Sequence, residues 1–534
     1  MNRKTLVLPA VAGLLTPVLA ACGGSGSGGK NGDAIVVGTT DRFTATSDAP
    51  APLDPAYAYD VGTWNILRQT VQTLMTLPKG EGDLVPDAAE SCGFTDSGSE
   101  RYACKLRDGL KFANGDPVTA QDVKFSIERA LHLKADSGVS SLLNTIDTIE
   151  TQGDKEVIFH LNAADATFPY KLSTPVAGIV NPKDYQQGKL RDGFSLDGSG
   201  PYTFQADVKD NAIVSATFTK NPSYKGAVTV NNNKVVMRSY DSAGAMGAAI
   251  DKGDIDVMTR TMDPAQIQKL DAGTGNKVDL VEMPGLEIRY LAFNTDATSV
   301  KSKAVRQAMA QLINRGELVS KVYGTQAEPL YSLVPATITG HSNSFFNKYG
   351  NPSVAKAKDL LTKAGITTPV KLTLHYTTDH YGSATKQEFE VLQKQLNDSG
   401  LFDASIQGHP WDQFRPAEKK GQYDVYGMGW FPDFPDADNF LAPFLDADNT
   451  LGSPYSNPTI EHTLIPASRR EADRAAATKS LTSIQDTVAD DVPILPLWQG
   501  KQYVAARDDI TGVAYALNSS STLQLWELGR GVSG

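Results

Sequence analysis

"CKLRDGLKFANGDPVTAQDVKFSIERAL", Cys104 to Leu131, joins two kinds of local order. Its second half opens on Thr119 with Asp122 three residues later, a capping-box variant. Val123, Ile127, Ala130 and Leu131 then recur on one face, which predicts an amphipathic helix. Its first residue, Cys104, closes the segment "GFTDSGSERYA" that Cys92 opens, and turn residues crowd the middle of that segment. The segment reads as a hairpin with the two cysteines facing each other across it.

The same alternation runs outward in both directions. "AIVVGTT" (34–40) is a β-branched run read as a buried strand, and Trp64, Leu67, Val71 and Leu74 follow at helical spacing. "EVIFHLN" (156–162) alternates like a half-buried strand, and "DGSGPY" (197–202) reads as a tight turn into "YTFQADV". Val305, Ala308, Met309, Leu312 and Ile313 form a helical stripe. "NPSVAKAKDLLTKAG" is predicted to begin at Asn351 as N-cap, with Pro352 at N1, and to stop at Gly365. "KLTLHYT" is a strand, and "KQEFEVLQKQLNDSG" a helix ended by Gly400. The fold class is α/β with mixed sheets, neither a repeat nor a bundle.

The chain starts with Arg3 and Lys4, an apolar run from Leu6 to Leu19, and "LAAC" ending at Cys22, the layout of a secretory signal. The run is too short and too interrupted, by Pro9, Gly13 and Pro17, for a spanning helix of roughly 20 apolar residues. "GGSGSGGKNGD" (23–33) reads as a flexible tether. About 500 residues remain, enough for two or three domains. A net charge of −11 argues against nucleic acid as a partner. An oxidising compartment favours a Cys92–Cys104 disulfide, and their spacing excludes a CxxC metal or redox pair.

Chemistry-bearing motifs are sparse. None of the seven histidines stands in HExxH or at helical ligand spacing, and His375 and His380 are read as surface or structural. There is no GxSxG elbow, Walker loop or GxGxxG after a strand. The densest cluster is "GMGWFPDFPDADNF" (427–440), where Asp433, Asp436 and Asp438 sit among Trp430, Phe431 and Phe434. A calcium loop fails on spacing: Leu451 stands where the second candidate, from Asp446, needs its glycine, and neither candidate has the closing Glu. A glycosidase would need two placed carboxylates, which sequence spacing alone does not establish.

Several blocks, in order, resemble one family: the large extracytoplasmic solute-binding proteins of ABC importers that serve peptides, nickel and related solutes. "LDPAYAYDVGTWNILRQTVQTLM" is similar to the family's opening block, and the stretch quoted first to its signature of strand, turn and capped helix ending in an Arg. "GSGPY", "LAFNT", "VRQAMAQLINR" and "GWFPDFPDADNF" follow in family order. The resemblance implies a periplasmic-binding-protein-like fold of two hinged lobes plus an inserted domain. Lobe I would take 34–57, 186–284 and 503–534, the inserted domain 58–185, and lobe II 285–502. Arg289 and Gln502 would lie near the hinge. The end of the signal resembles a lipobox, which implies acylation of Cys22 and anchoring at the outer face of the cell membrane. The family implies a monomeric receptor without catalysis or cofactor, handing its solute to membrane permease subunits.

In the family's peptide receptors a Gly-Trp pair precedes, by three residues, an Asp that pairs with the peptide ammonium; Trp430 and Asp433 match. Tyr59 and Val61 match the extended segment that pairs with the peptide backbone. Trp411 matches a side-chain-pocket aromatic, and Trp498 stands where a Tyr is common. Trp430, Tyr59, Val61, Trp411 and Trp498 also read as packing, Asp433 as a loop residue capping the next helix or facing solvent, and Asp436 and Asp438 as turn and helix-start residues. Two departures matter. The loop after "KLTLHYT" is "TTDHYG", without the Arg that clamps a dipeptide carboxylate. Gly427 stands where oligopeptide receptors have a basic residue, with Lys419 the nearest substitute. The expectation is a peptide receptor, for oligopeptides rather than dipeptides. The alternatives are an oligosaccharide, a metal chelate or another cationic solute on the same fold, and more distantly a secreted hydrolase.

Overall fold

The computed structural model describes residues 34–47, 49–80, 84–260, 262–273, 277–447, 449 and 452–531. The signal peptide with Cys22, the tether at 23–33, and Asp448 and Leu451 lie outside the described residues. Among the described residues, no helix is long and apolar enough to cross a membrane.

Three larger sheets organise the chain. The first has seven strands in the spatial order Val278–Met283, Gln502–Arg507, Val257–Met258, Ile35–Thr39, Lys234–Ser239, Ala212–Lys220, Tyr202–Lys209. Ile35–Thr39 pairs in parallel with both its neighbours, and its five residues are all buried, as "IVVGT" predicts for a strand covered on both faces. The second sheet has six strands: Ala327–Pro329, Ile494–Gly500, Ile288–Phe293, Val425–Trp430, Val370–Thr377, Phe402–His409. The third is a four-stranded antiparallel sheet: Ala89–Phe94, Arg101–Leu106, Glu156–Leu161, Ile146–Gln152. Separate apolar clusters accompany the three sheets.

The chain passes between the first two sheets at two adjacent places. Val278–Met283 leads through 284–287 into Ile288–Phe293, and Ile494–Gly500 leads through Lys501 into Gln502–Arg507. A Cβ on Gly285 would lie 2.2 Å from the Gly500 carbonyl oxygen, so the two connections touch only because 285 is glycine. Gln502 stands at this crossing, its amide donating to the carbonyls of Pro284 and Asn518 at 3.0 and 2.6 Å.

The helix predicted from Thr119 spans Ala120–Leu133. The Thr119 N–H and hydroxyl both donate to Asp122 Oδ2, at 2.7 and 2.8 Å. Near its end, Arg129 is 1% exposed and forks onto Asp54, with Nη1 to Oδ1 at 2.8 Å and Nη2 to Oδ2 at 2.6 Å. The fork thus ties the Leu-Asp-Pro turn to the capped helix, joining two blocks that sequence shows only as separate. The helix around Trp64 spans Val61–Thr70 and stops before the predicted Val71 and Leu74. The "GSG" turn crosses its end: the Gly200 N–H bonds the Thr70 carbonyl at 2.8 Å, taking the acceptor that a further turn would use. The helix expected to be capped by Asn351 spans Val354–Lys363 and is capped by Ser353, whose hydroxyl accepts from the Lys356 N–H at 3.3 Å.

Cys92 and Cys104 are cross-strand partners with Cα atoms 4.1 Å apart, and they are bonded. Closing so short a loop stabilises by about 3 kcal/mol or less. The Cys92→Ala/Cys104→Ala variant is expected to unfold at lower denaturant than the wild type by that amount; an unchanged midpoint would mean that the bond adds nothing to the hairpin.

Candidate functional site

The strand Val425–Trp430 sits centrally in the second sheet, and two of its glycines leave one face bare. A Cβ on Gly427 would meet Phe389 Cζ at 2.3 Å, and one on Gly429 would meet Arg289 Nη1 at 1.7 Å. Phe389 and Arg289 therefore lie directly across the strand. Beyond it, the loop 431–437 touches all three units of the fold. The Phe431 ring lies 5.0 Å from the guanidinium of Arg260, which follows the first-sheet strand Val257–Met258. Asp433 meets Tyr59 ahead of the helix Val61–Thr70. Phe434 enters the core of the third sheet's unit and stacks on Tyr170 at 5.8 Å.

Asp433 is 8% exposed. Its Oδ2 accepts from the Tyr59 hydroxyl at 3.2 Å and from the Asn439 amide at 2.9 Å. The Asn439 carbonyl oxygen takes the Asp433 N–H at 2.7 Å, so one side chain fixes both ends of the acid. Burial pushes the carboxyl up to about 6, against the pull of these two hydrogen bonds and of the Arg68 charge. Arg68 stacks over Trp64 at 5.1 Å, and burial lowers it to about 10. Among the described residues no cation forms an ion pair with Asp433. A buried carboxylate held by neutral donors can take up a cation as its counter-ion.

The neighbouring acids differ. Asp436 is forked by Arg474, at 2.7 and 3.0 Å, and its Oδ1 accepts the Asp438 N–H at 2.8 Å. Asp438 is forked by Arg469 at 2.8 and 3.2 Å and opens the helix Asp438–Leu445. Both set the turn and helix start as read from sequence. Their arginine partners come from a segment some thirty residues further on, and only folding places them here.

The other predicted residues divide. Tyr59 touches Asp433 and packs on Trp64 at 5.6 Å. Val61 does not lie in an extended segment: extension ends at Asp60, whose side chain caps the helix at Thr63, and Val61 is the first helical residue. Trp430 is 9% exposed, edge-on to Phe444 in the apolar cluster of the second sheet, with its indole Nε1 buried and without an acceptor among the described residues. Trp411 stacks on His380, 3.8 Å away and nearly parallel at 6°. Trp498 packs on Tyr323 at 4.4 Å. Lys419 is exposed and donates to the Asp136 carbonyl at 3.4 Å.

Sequence reading passed over a second charged cluster. Arg289 pairs with Glu287, and its guanidinium lies 4.0 Å from Tyr381, 5.2 Å from Trp498 and 5.9 Å from Phe431. Arg289 is the second residue of the strand Ile288–Phe293, just after the connection 284–287, and its side chain enters this aromatic box. Arg260 donates through Nε to Asp41 at 3.0 Å. The signal in sequence was Arg289 within an otherwise apolar run, "IRYLAF", a charge that burial must compensate. Elsewhere, a cavity of about 30 Å³ beside Arg68, Gln72 and Asp87 has room for only one or two waters.

Known proteins share this plan. Residues 83–452 match the model described as bacterial extracellular solute-binding proteins, family 5. The probable D,D-dipeptide-binding periplasmic protein DdpA of Escherichia coli is 26% identical over 87% of this chain and 90% of its own length. The dipeptide-binding protein of a Pseudoalteromonas species, solved with Met-Leu, superposes with a TM-score of 0.80 at 21% identity, covering 93% of this chain and 100% of its own. The Agrobacterium protein AgaA, solved with agropinic acid, gives 0.79 at 22%, over 94% and 99%. The chain belongs to family 5 of the bacterial extracellular solute-binding proteins, the extracytoplasmic receptors of ABC importers.

Proposed function

We propose that this protein captures peptides with a free amino terminus between its two lobes and delivers them to a membrane permease, without catalysis. The supporting observation is Asp433: a buried carboxylate with neutral hydrogen-bond partners, at a loop that contacts every unit of the fold. The ligand ammonium would become its missing counter-ion. Lobe closure would bend the two connections at 284–287 and Lys501. Lobe I would comprise 34–57, 186–284 and 503–534, the inserted domain 58–185 and lobe II 285–502. Acylated Cys22 would tether a monomer to the outer face of the membrane. DdpA is a probable dipeptide receptor, but no Arg follows the strand Val370–Thr377 here, which favours oligopeptides. AgaA, solved with agropinic acid, keeps a non-peptide solute as the second reading.

Mass spectrometry of ligand carried through native purification tests the reading. Peptides with free amino termini are the expected finding; an oligosaccharide or metal chelate in their place overturns it.

A further inference from the structure

The loop "TTDHYG" carries no arginine, yet its histidine has three arginines around it in space. The ring of Trp411 covers one face of His380 at 3.8 Å. Its imidazole is held neutral, to about 3, by burial first and then by the charges of Arg260, Arg289 and Arg415. Arg415 contributes from the helix Trp411–Lys419, where it pairs with Glu418. The other two guanidiniums flank a single ring, Phe431, at 5.0 and 5.9 Å.

These cations are not used up by their own acids. Among the described residues, Arg289 makes one ion pair, through Nη1 to Glu287, and Arg260 makes one, through Nε to Asp41. A guanidinium offers five N–H donors in a rigid fork, so both keep donors for a second oxyanion. Arg289 is 7% exposed, and its aromatic walls at Tyr381, Trp498 and Phe431 exclude water and strengthen a charge-assisted bond made there. The position is fixed from beneath, because only glycine at 429 leaves room for this side chain.

We propose that Arg289, assisted by Arg260, receives a carboxylate of the bound ligand, and that this pair is the acid clamp which the loop sequence lacks. The inference rests on the peptide reading and deepens it. Phe431, the ring that both guanidiniums flank, lies two residues from Asp433, so the carboxylate receptor stands beside the short loop that carries the ammonium receptor. An extended peptide advances about 3.3 Å per residue. The acid it presents therefore belongs within about three residues of the amino terminus. It is either the terminal carboxylate of a short peptide or an Asp or Glu side chain early in a longer one.

Calorimetry with four peptides separates these cases: trialanine, trialanine amide, hexa-alanine amide, and hexa-alanine amide with Glu at position three. The expected result is about tenfold or greater preference for an acid-bearing member over its counterpart without the acid. If only free trialanine gains, the source is the terminus; if the Glu-bearing hexapeptide gains, it is the side chain. Arg289→Gln should abolish the difference within each pair. Equal affinities across each wild-type pair overturn the clamp without needing any variant to fold, and so does a preference that survives in both Arg289→Gln and Arg260→Gln. If the wild-type protein binds none of the four, the peptide reading fails and this inference with it. If N-acetylation is harmless while the acid matters, Asp433 fails as ammonium receptor and Arg289 stands.

Discussion

Arg129→Ala is expected to destabilise the protein by about 3–5 kcal/mol, the cost of leaving a buried carboxylate without its partner. Arg129 does more than neutralise Asp54. Besides the fork, its Nε donates to the Gln186 carbonyl at 2.7 Å and Nη2 to the Lys189 carbonyl at 2.7 Å. Asp54 in turn accepts the N–H groups of Ala56 and Arg191, at 2.9 and 2.7 Å. The pair therefore locks together the Leu-Asp-Pro turn, the capped helix and the segment that returns to the first sheet. Asp54→Ala should cost a similar amount. Because the two act on one network, the double variant should cost clearly less than the two single costs combined. Urea unfolding of the four proteins measures this; strictly additive losses would show that the fork is not the unit of stability.

Asp433→Asn is expected to weaken a peptide with a free amino terminus by two to three orders of magnitude, roughly the 3–5 kcal/mol of a broken buried ion pair. The N-acetylated form of the same peptide should change little between wild type and variant. Equal losses for both would remove Asp433 as the ammonium receptor. The same substitution should act in the opposite direction on the empty protein. Burial raises the Asp433 carboxyl to about 6 from 3.8, so the folded chain holds its proton to higher pH than the unfolded chain. Stability from this group is thus greatest below pH 4 and is lost as pH rises to about 6. Asn carries no such loss, and at neutral pH the empty variant should be the more stable by up to about 3 kcal/mol. Ligand reverses the sign: an ammonium favours the carboxylate, so binding near pH 6 releases a proton. Calorimetry in buffers of different ionisation enthalpy detects that release, which should vanish in Asp433→Asn.

Much of this was legible in the residues because it depends on near neighbours. The box at Thr119 and Asp122, the strand "AIVVGTT" and the Cys92–Cys104 hairpin are set by local geometry and periodicity, and each forms. Where a distant segment intervenes, the local reading failed. The Trp64 helix ends early because Gly200 takes the Thr70 carbonyl. Val61, by contrast, is helical for a local reason, the cap at the adjacent Asp60. Within "GMGWFPDFPDADNF" the sequence marked out all three acids, and their separate roles depend on what folding brings to each. Arg474 and Arg469 neutralise Asp436 and Asp438, while Asn439 and Tyr59 hold Asp433, which has no ion pair among the described residues. The arginine missing after the strand Val370–Thr377 shows the same limit. Sequence determined that the loop itself has none. Only the tertiary structure brings Arg260, Arg289 and Arg415 around His380, because charge acts through space and the three arrive from different parts of the chain.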